Sequence, residues 1–203
     1  MSTSASTPRK PWYRSDLLQC LVLLGCIVVA RSSFANHYTI PSGSMEPTLV
    51  PGDRVWVDLT AYGISWPFTH TDAIAGAAPA RGDVVVFPSP TDGTRLIKRV
   101  VAVGGDQVSV TNGYLTINGQ AQAVDAAHER LGTHAPFALD LRKGGGPDLK
   151  ETTVPAGKVL VMGDARGNSL DGRFFGWVDQ DHIYGKATRL FYRSGHGFNW
   201  QPL

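Results

Sequence analysis

A chain of 203 residues, 42% of them hydrophobic, carries enough apolar material for one sizeable core with a small lobe appended, which excludes an intrinsically disordered protein. The formal net charge of +2 is spread along the chain without a long basic run, so the electrostatic footprint of a nucleic-acid binder is missing and no nucleic-acid partner is expected. Both cysteines, Cys20 and Cys26, lie in an apolar N-terminal segment, and His37, His70, His128, His134, His182 and His196 show no ligand spacing, so neither a disulfide framework, a metal nor a cofactor is expected.

The first sixteen residues are polar and carry Arg9, Lys10 and Arg14. Leu17 to Ala30, LLQCLVLLGCIVVA, is then uncharged and mostly aliphatic up to Arg31. Its length leaves two readings open, a secretory apolar region of about 7 to 15 residues and, with flanking residues added, a membrane span of about 17 to 25. As a cleaved leader it ends at Ser-Phe-Ala, with small Ser33 and Ala35 placed for processing. As an anchor it runs over residues 17–35, with Trp12, Tyr13 and Phe34 near the interfaces and Arg31 snorkelling. No Lys or Arg occurs between Arg31 and Arg54, so the charge asymmetry puts residues 1–16 in the cytoplasm and the bulk of the chain outside it.

Beyond residue 36 the apolar pattern is short and of period two: Asp53–Leu59, Asp83–Phe87, Arg95–Val103, Lys158–Met162 and Tyr184–Tyr192 all read as strands. Gln107–Val110 and Tyr114–Ile117 flank Asn112-Gly113, a pair able to take positive φ at both positions, which predicts a hairpin. With 23 Gly, 13 Pro and no long amphipathic helical stretch, the expectation is a mainly β domain over 36–203, an antiparallel sheet or barrel-like body behind one N-terminal transmembrane helix. Residues 120–157 have weak periodicity and many breakers, and read as a long excursion or flexible loop.

Chemistry has three candidate locations. The stretch Ile40–Asp53, IPSGSMEPTLVPGD, holds Ser42 and Ser44 between prolines. A serine hydroxyl is a poor nucleophile until a neighbour takes its proton, and no histidine stands in a suggestive context. The strand RLIKRVVAV offers Lys98 and Arg99 on opposite faces, both apolar. A lysine can lose its proton when burial lowers its pKa, whereas arginine keeps its own. The reference pKa of about 10.4 has to fall to about 7 or 8 for a working base, which burial against aliphatic side chains can supply. Taken alone, however, Lys98 reads as an ordinary strand lysine whose amine reaches solvent. The third location, Val161–Val178, packs Asp164, Arg166, Asn168, Ser169, Asp171 and Arg173 just after a predicted strand end, where a solvated turn is the plain alternative.

Together, in this order, IPSGSMEPTLVPGDRV, RGDVVVF, RLIKRVVAVGGD and GDARGNSLDGRFFGWV resemble bacterial type I signal peptidase, the leader peptidase family of membrane-anchored serine/lysine proteases. The resemblance implies that Ser44 is the nucleophile and Lys98 the general base, with the Ser42 hydroxyl and the Ser44 backbone N–H forming an oxyanion hole. It implies that Ser169 orients the lysine amine and that Asp171 and Arg173 support that loop. It also favours the retained anchor: a single-pass protein of the inner membrane, with the catalytic domain periplasmic and the lipid bilayer as partner. The implied substrates are preprotein signal peptides, cut after a small residue with another small residue two positions earlier. Shallow apolar pockets are expected from Ile40, Pro41, Met45, Leu49, Leu96 and Ile97, with the substrate added as a strand at a sheet edge. Self-cleavage after Ala35 is a corollary.

Two departures from the family pattern stand out. Ala165 follows the Gly-Asp where asparagine is common, and Gly172 stands where a larger or polar residue is frequent. Two other readings compete: a specialised maturation peptidase of a conjugation or pilus system, and a membrane-tethered β domain that binds peptides without catalysis. The first is separated by the genomic neighbourhood, the second by the intact Ser44, Lys98 and Ser169.

Overall fold

The computed structural model describes residues 16–25, 35–65 and 72–203. Residues 16–25 form helix α1, whose leucines and Val22 are exposed all round. No helix among the described residues is long and apolar enough to cross a membrane. The rest of the expected span and the Ser-Phe-Ala site up to Phe34 lie outside the described residues, as do Arg9, Lys10 and Arg14.

The strands in chain order are β1 (Ala35–Thr39), β2 (Arg54–Asp58), β3 (Gly63–Ser65), β4 (Asp72–Ala75), β5 (Val84–Pro88), β6 (Arg95–Val103), β7 (Gln107–Thr111), β8 (Tyr114–Ile117) and β9 (Gln120–Ala121). They continue as β10 (Ala123–Asp125), β11 (His128–Glu129), β12 (Phe137–Ala138), β13 (Leu149–Thr153), β14 (Lys158–Met162), β15 (Val178–Asp179), β16 (Gly185–Arg193) and β17 (Gly197–Pro202). Among the described residues the other α-helix, α2, is the short Gly172–Phe175. The mainly β, antiparallel reading is therefore correct. The main sheet is ordered β1-β2-β16-β5-β6-β14-β15, with β17 on β16, so among the described residues pairing follows an open path.

Burial follows the sequence pattern. In β2, Val55 and Val57 point inward while Arg54 and Trp56 face out, the alternation of a strand with one wet face. β5 lies between β16 and β6, and Val84, Val85, Val86 and Phe87 are all buried, because both faces of this strand are covered. One core cluster gathers Ile40, Met45, Leu49, Val55, Val57, Val84 and Val86; a second gathers Val85, Phe87, Val100, Val159 and Val161. At the tip of the β7–β8 hairpin, Asn112 and Gly113 have φ of 51° and 87°, the mirror-image turn the Asn-Gly pair predicts.

The 120–157 segment differs from a flexible loop. It forms the small sheet β10-β11-β12 and returns through β13, which pairs with β7. Its apolar residues Leu131, Phe137, Leu139 and Val154 join Val108, Val110, Leu115, Leu160 and Met162 in a third core. Its strands are too short for periodicity to show, and what orders them is contact with a sheet distant in sequence.

Candidate active site

Ser44 sits in a 3-10 turn over Gly43–Met45, entered from the extended Ser42. The turn is held because Met45, at its end, is fully buried, and the segment continues to fully buried Leu49. Met45 accepts at its carbonyl from Leu49 N–H at 2.9 Å, and Ile40 exchanges backbone bonds with Asp53 and Gly52. Ser44 is thereby carried on the rim of a packed core and is itself buried.

Lys98 comes from the middle of β6, where Val85 of β5 is its cross-strand partner. It is only 3% exposed, so its amine does not reach solvent as an ordinary strand lysine would. The amine lies 2.5 Å from Ser44 Oγ, bridging 54 positions of sequence. Burial pushes the Lys98 pKa down to about 8, while the carboxylates of Asp171 and Asp164 act in the opposite direction. An amine that is readily neutral, in hydrogen-bond contact with a hydroxyl and shielded from water, can take up that hydroxyl's proton. Ser42 Oγ stands 3.4 Å from Ser44 Oγ on the outer side, a second hydroxyl beside the first.

The floor of the site is the corner after β14. The Asp171 carboxylate accepts from Gly163 N–H at 3.0 Å, caps α2 through Arg173 N–H, and forms a fully buried pair with the Arg173 guanidinium. Arg173 also donates to the carbonyls of Gly145 and Arg166, both at 2.6 Å. At Gly163 the backbone runs so close to the Gly43–Met45 turn that an added Cβ would strike both the Ser44 carbonyl oxygen and Ser169 Oγ. Ser169 is buried, and its hydroxyl has no hydrogen-bond partner among the described residues, so the expected bond to the lysine amine is not made in this structure.

The two departures from the family pattern have physical accounts. Ala165 contributes its backbone N–H to the Ser44 carbonyl at 3.2 Å, a contact independent of its side chain. Gly172 lies against Leu160 and the Val161 carbonyl, and a Cβ there would crowd both, so the small residue lets α2 pack on β14.

The expected pocket residues divide. Ile40, Met45 and Leu49 belong to one core cluster, with Ile97 packed against it; Leu96 packs against another cluster, and Pro41 is exposed. Met45 and Leu49 are wholly enclosed and back the site rather than line an open surface. β14 pairs with β6 only from Arg99 to Val103, so among the described residues the Arg95–Lys98 half of β6 has no strand partner on its outer edge beside the amine.

Two buried ion pairs join residues whose partners the sequence does not name. Asp164 takes both Arg99 Nε at 3.0 Å and Arg99 Nη2 at 2.7 Å, and accepts from Thr48 Oγ1 at 2.5 Å, tying β6 to the segment that carries Ser44. Arg166 and Glu129 form a pair with no exposed side-chain surface. Charge density in the last motif hinted at such pairs, but nothing in a single chain names the partners. Among the described residues no group of His, Cys, Asp or Glu is placed to hold a metal ion.

Residues 14–192 match the family model described as "Signal peptidase, peptidase S26". Signal peptidase I of Pseudomonas aeruginosa is 36% identical, over 83% of this chain and 69% of its own. Signal peptidase IB of Staphylococcus aureus is 33% identical, over 93% of this chain and 97% of its own. A crystal structure of a signal peptidase I from Enterococcus faecalis, 30% identical, overlays 55% of this chain and 98% of that one at a TM-score of 0.40.

Proposed function

We propose that in this chain, which belongs to the signal peptidase (peptidase S26) family, Ser44 is the nucleophile and Lys98 the general base of a serine endopeptidase that removes signal peptides from preproteins. The observation that carries this reading is the 2.5 Å contact between the two side chains inside a site that holds the lysine pKa near 8.

When the amine is neutral the sense of that hydrogen bond reverses: Ser44 O–H donates, its proton passes to Lys98, and Oγ attacks the scissile carbonyl carbon. The carbonyl oxygen then gathers negative charge, and the Ser42 hydroxyl with the Ser44 backbone N–H are the donors we assign to it. The lysine, now protonated, gives the proton to the departing amine; a water attacking the acyl-serine repeats the exchange. Ser169 is assigned to the amine as its orienting hydroxyl, an assignment supported by its burial without another partner. Asp171 and Arg173 hold the loop that carries Ser169. The substrate strand lies along the unpaired edge of β6 at Arg95–Lys98, with small side chains entering shallow pockets at Ile40, Pro41, Leu96 and Ile97, and with Met45 and Leu49 behind them.

The same reading puts residues 1–16 in the cytoplasm, residues 17–35 across the inner membrane, and residues 36–203 in the periplasm as the catalytic domain. Its support is the uncharged apolar run beginning in α1 and the basic residues preceding it. The test is incubation of the detergent-solubilised full chain with a preprotein bearing an Ala-x-Ala site, followed by sequencing of the new N-terminus. A product beginning directly after the second alanine is expected; no cleavage, or cleavage elsewhere, overturns the assignment.

A further inference from the structure

Glu129 lies in β11, within the 120–157 segment that has no counterpart among the motifs of the site, yet it is fully buried and fully engaged. One carboxylate oxygen accepts from Leu115 N–H at 2.8 Å; the other accepts from Arg166 Nη2 at 2.6 Å. Arg166 distributes its remaining donors, Nη1 to the Gly113 carbonyl at 2.5 Å and Nε to the Gly163 carbonyl at 3.1 Å. Gly163 is thus gripped on both sides, its N–H by Asp171 and its carbonyl by Arg166. This is the residue whose backbone abuts the Ser44 carbonyl and Ser169 Oγ with no room for a methyl group.

A buried guanidinium needs a carboxylate to offset its desolvation, and its planar fork, here spread over Glu129 and the Gly113 and Gly163 carbonyls, fixes direction as well as charge. Without Glu129, Arg166 has no other carboxylate among its hydrogen-bond partners in the described residues and is free to turn away from Gly163. We propose that Glu129 is a positioning residue for the reaction: through Arg166 it sets the Gly163 peptide, and through Gly163 the approach of Ser44 and Ser169 to the Lys98 amine. The 120–157 segment is then part of the catalytic apparatus rather than a decoration on it. This inference rests on the assignment of Ser44 and Lys98.

The test compares the full chain in detergent with three variants: Glu129→Gln, the charge-balanced Glu129→Gln/Arg166→Met, and Lys98→Arg. In the first two, kcat per folded molecule falls 10- to 100-fold with KM within about twofold, because substrate contacts are untouched while the reacting groups are displaced. The acid limb of kcat/KM moves to higher pH in both, as water reaches a less enclosed amine. The double variant regains thermal stability over Glu129→Gln but not kcat, which separates positioning from folding. Wild-type kcat and an unmoved acid limb in either folded variant overturn the proposal. Wild-type activity in Lys98→Arg overturns instead the lysine-base assignment.

Discussion

Replacing Lys98 by Met removes the amine while keeping most of its volume, and the structure predicts a protein that is inactive yet more stable at low pH. The buried lysine has a pKa of about 8 in the folded state against 10.5 in an unfolded chain. Below pH 8 both states bind the proton, and the folded state bears the full cost of the buried charge, about 3 kcal/mol from the pKa difference. Between pH 8 and 10.5 the unfolded chain binds more protons than the folded one, so wild-type stability rises with pH and the cost disappears. The variant also forfeits the bond to Ser44, worth about 1 kcal/mol. Lys98→Met is therefore expected to exceed wild type by about 2 kcal/mol at pH 6, with the advantage almost gone by pH 9.5. Urea unfolding of the full chain in detergent, followed by tryptophan fluorescence at several pH values, reads this directly. A variant no more stable than wild type at pH 6, or an advantage that does not shrink as pH rises, would refute the claim that burial depresses this lysine.

The same ionisation governs rate: wild-type kcat/KM rises about tenfold per pH unit below about 8 and levels above it, checked with a preprotein or peptide substrate. Ser44→Ala abolishes cleavage, whereas Ser42→Ala retains a residue of it, with kcat lowered by about 100- to 1000-fold as for loss of one oxyanion donor; equal activities in the two variants contradict the roles assigned. Gly163→Ala folds poorly or loses activity, because its methyl group meets the Ser44 carbonyl and Ser169 Oγ, and a fully active variant shows that the corner can yield. A reporter fused after Leu203 is active only outside the cytoplasm, and activity confined to the cytoplasm overturns the proposed topology.

The strands were legible because their alternation is local. Lys158–Met162 and Arg95–Val103 can be bounded from the chain alone, and the Asn112-Gly113 turn follows from the φ those residues tolerate. Serine and lysine were legible as candidates through residue type, and their pairing through a resemblance of ordered motifs. The sequence could not say whether Lys98 faces water: both faces of its strand are apolar, and the amine is buried where the Ser44 turn packs against β6. Nor could it connect Glu129 with Arg166 or Thr48 with Asp164, since a carboxylate's partner is decided by which backbones converge, 37 and 116 residues away along the chain. The 120–157 segment shows the limit most clearly. Its strands of two to five residues carry no period of their own and take their order from β7, β8 and the motif loop, surfaces that exist only once the rest of the chain has folded.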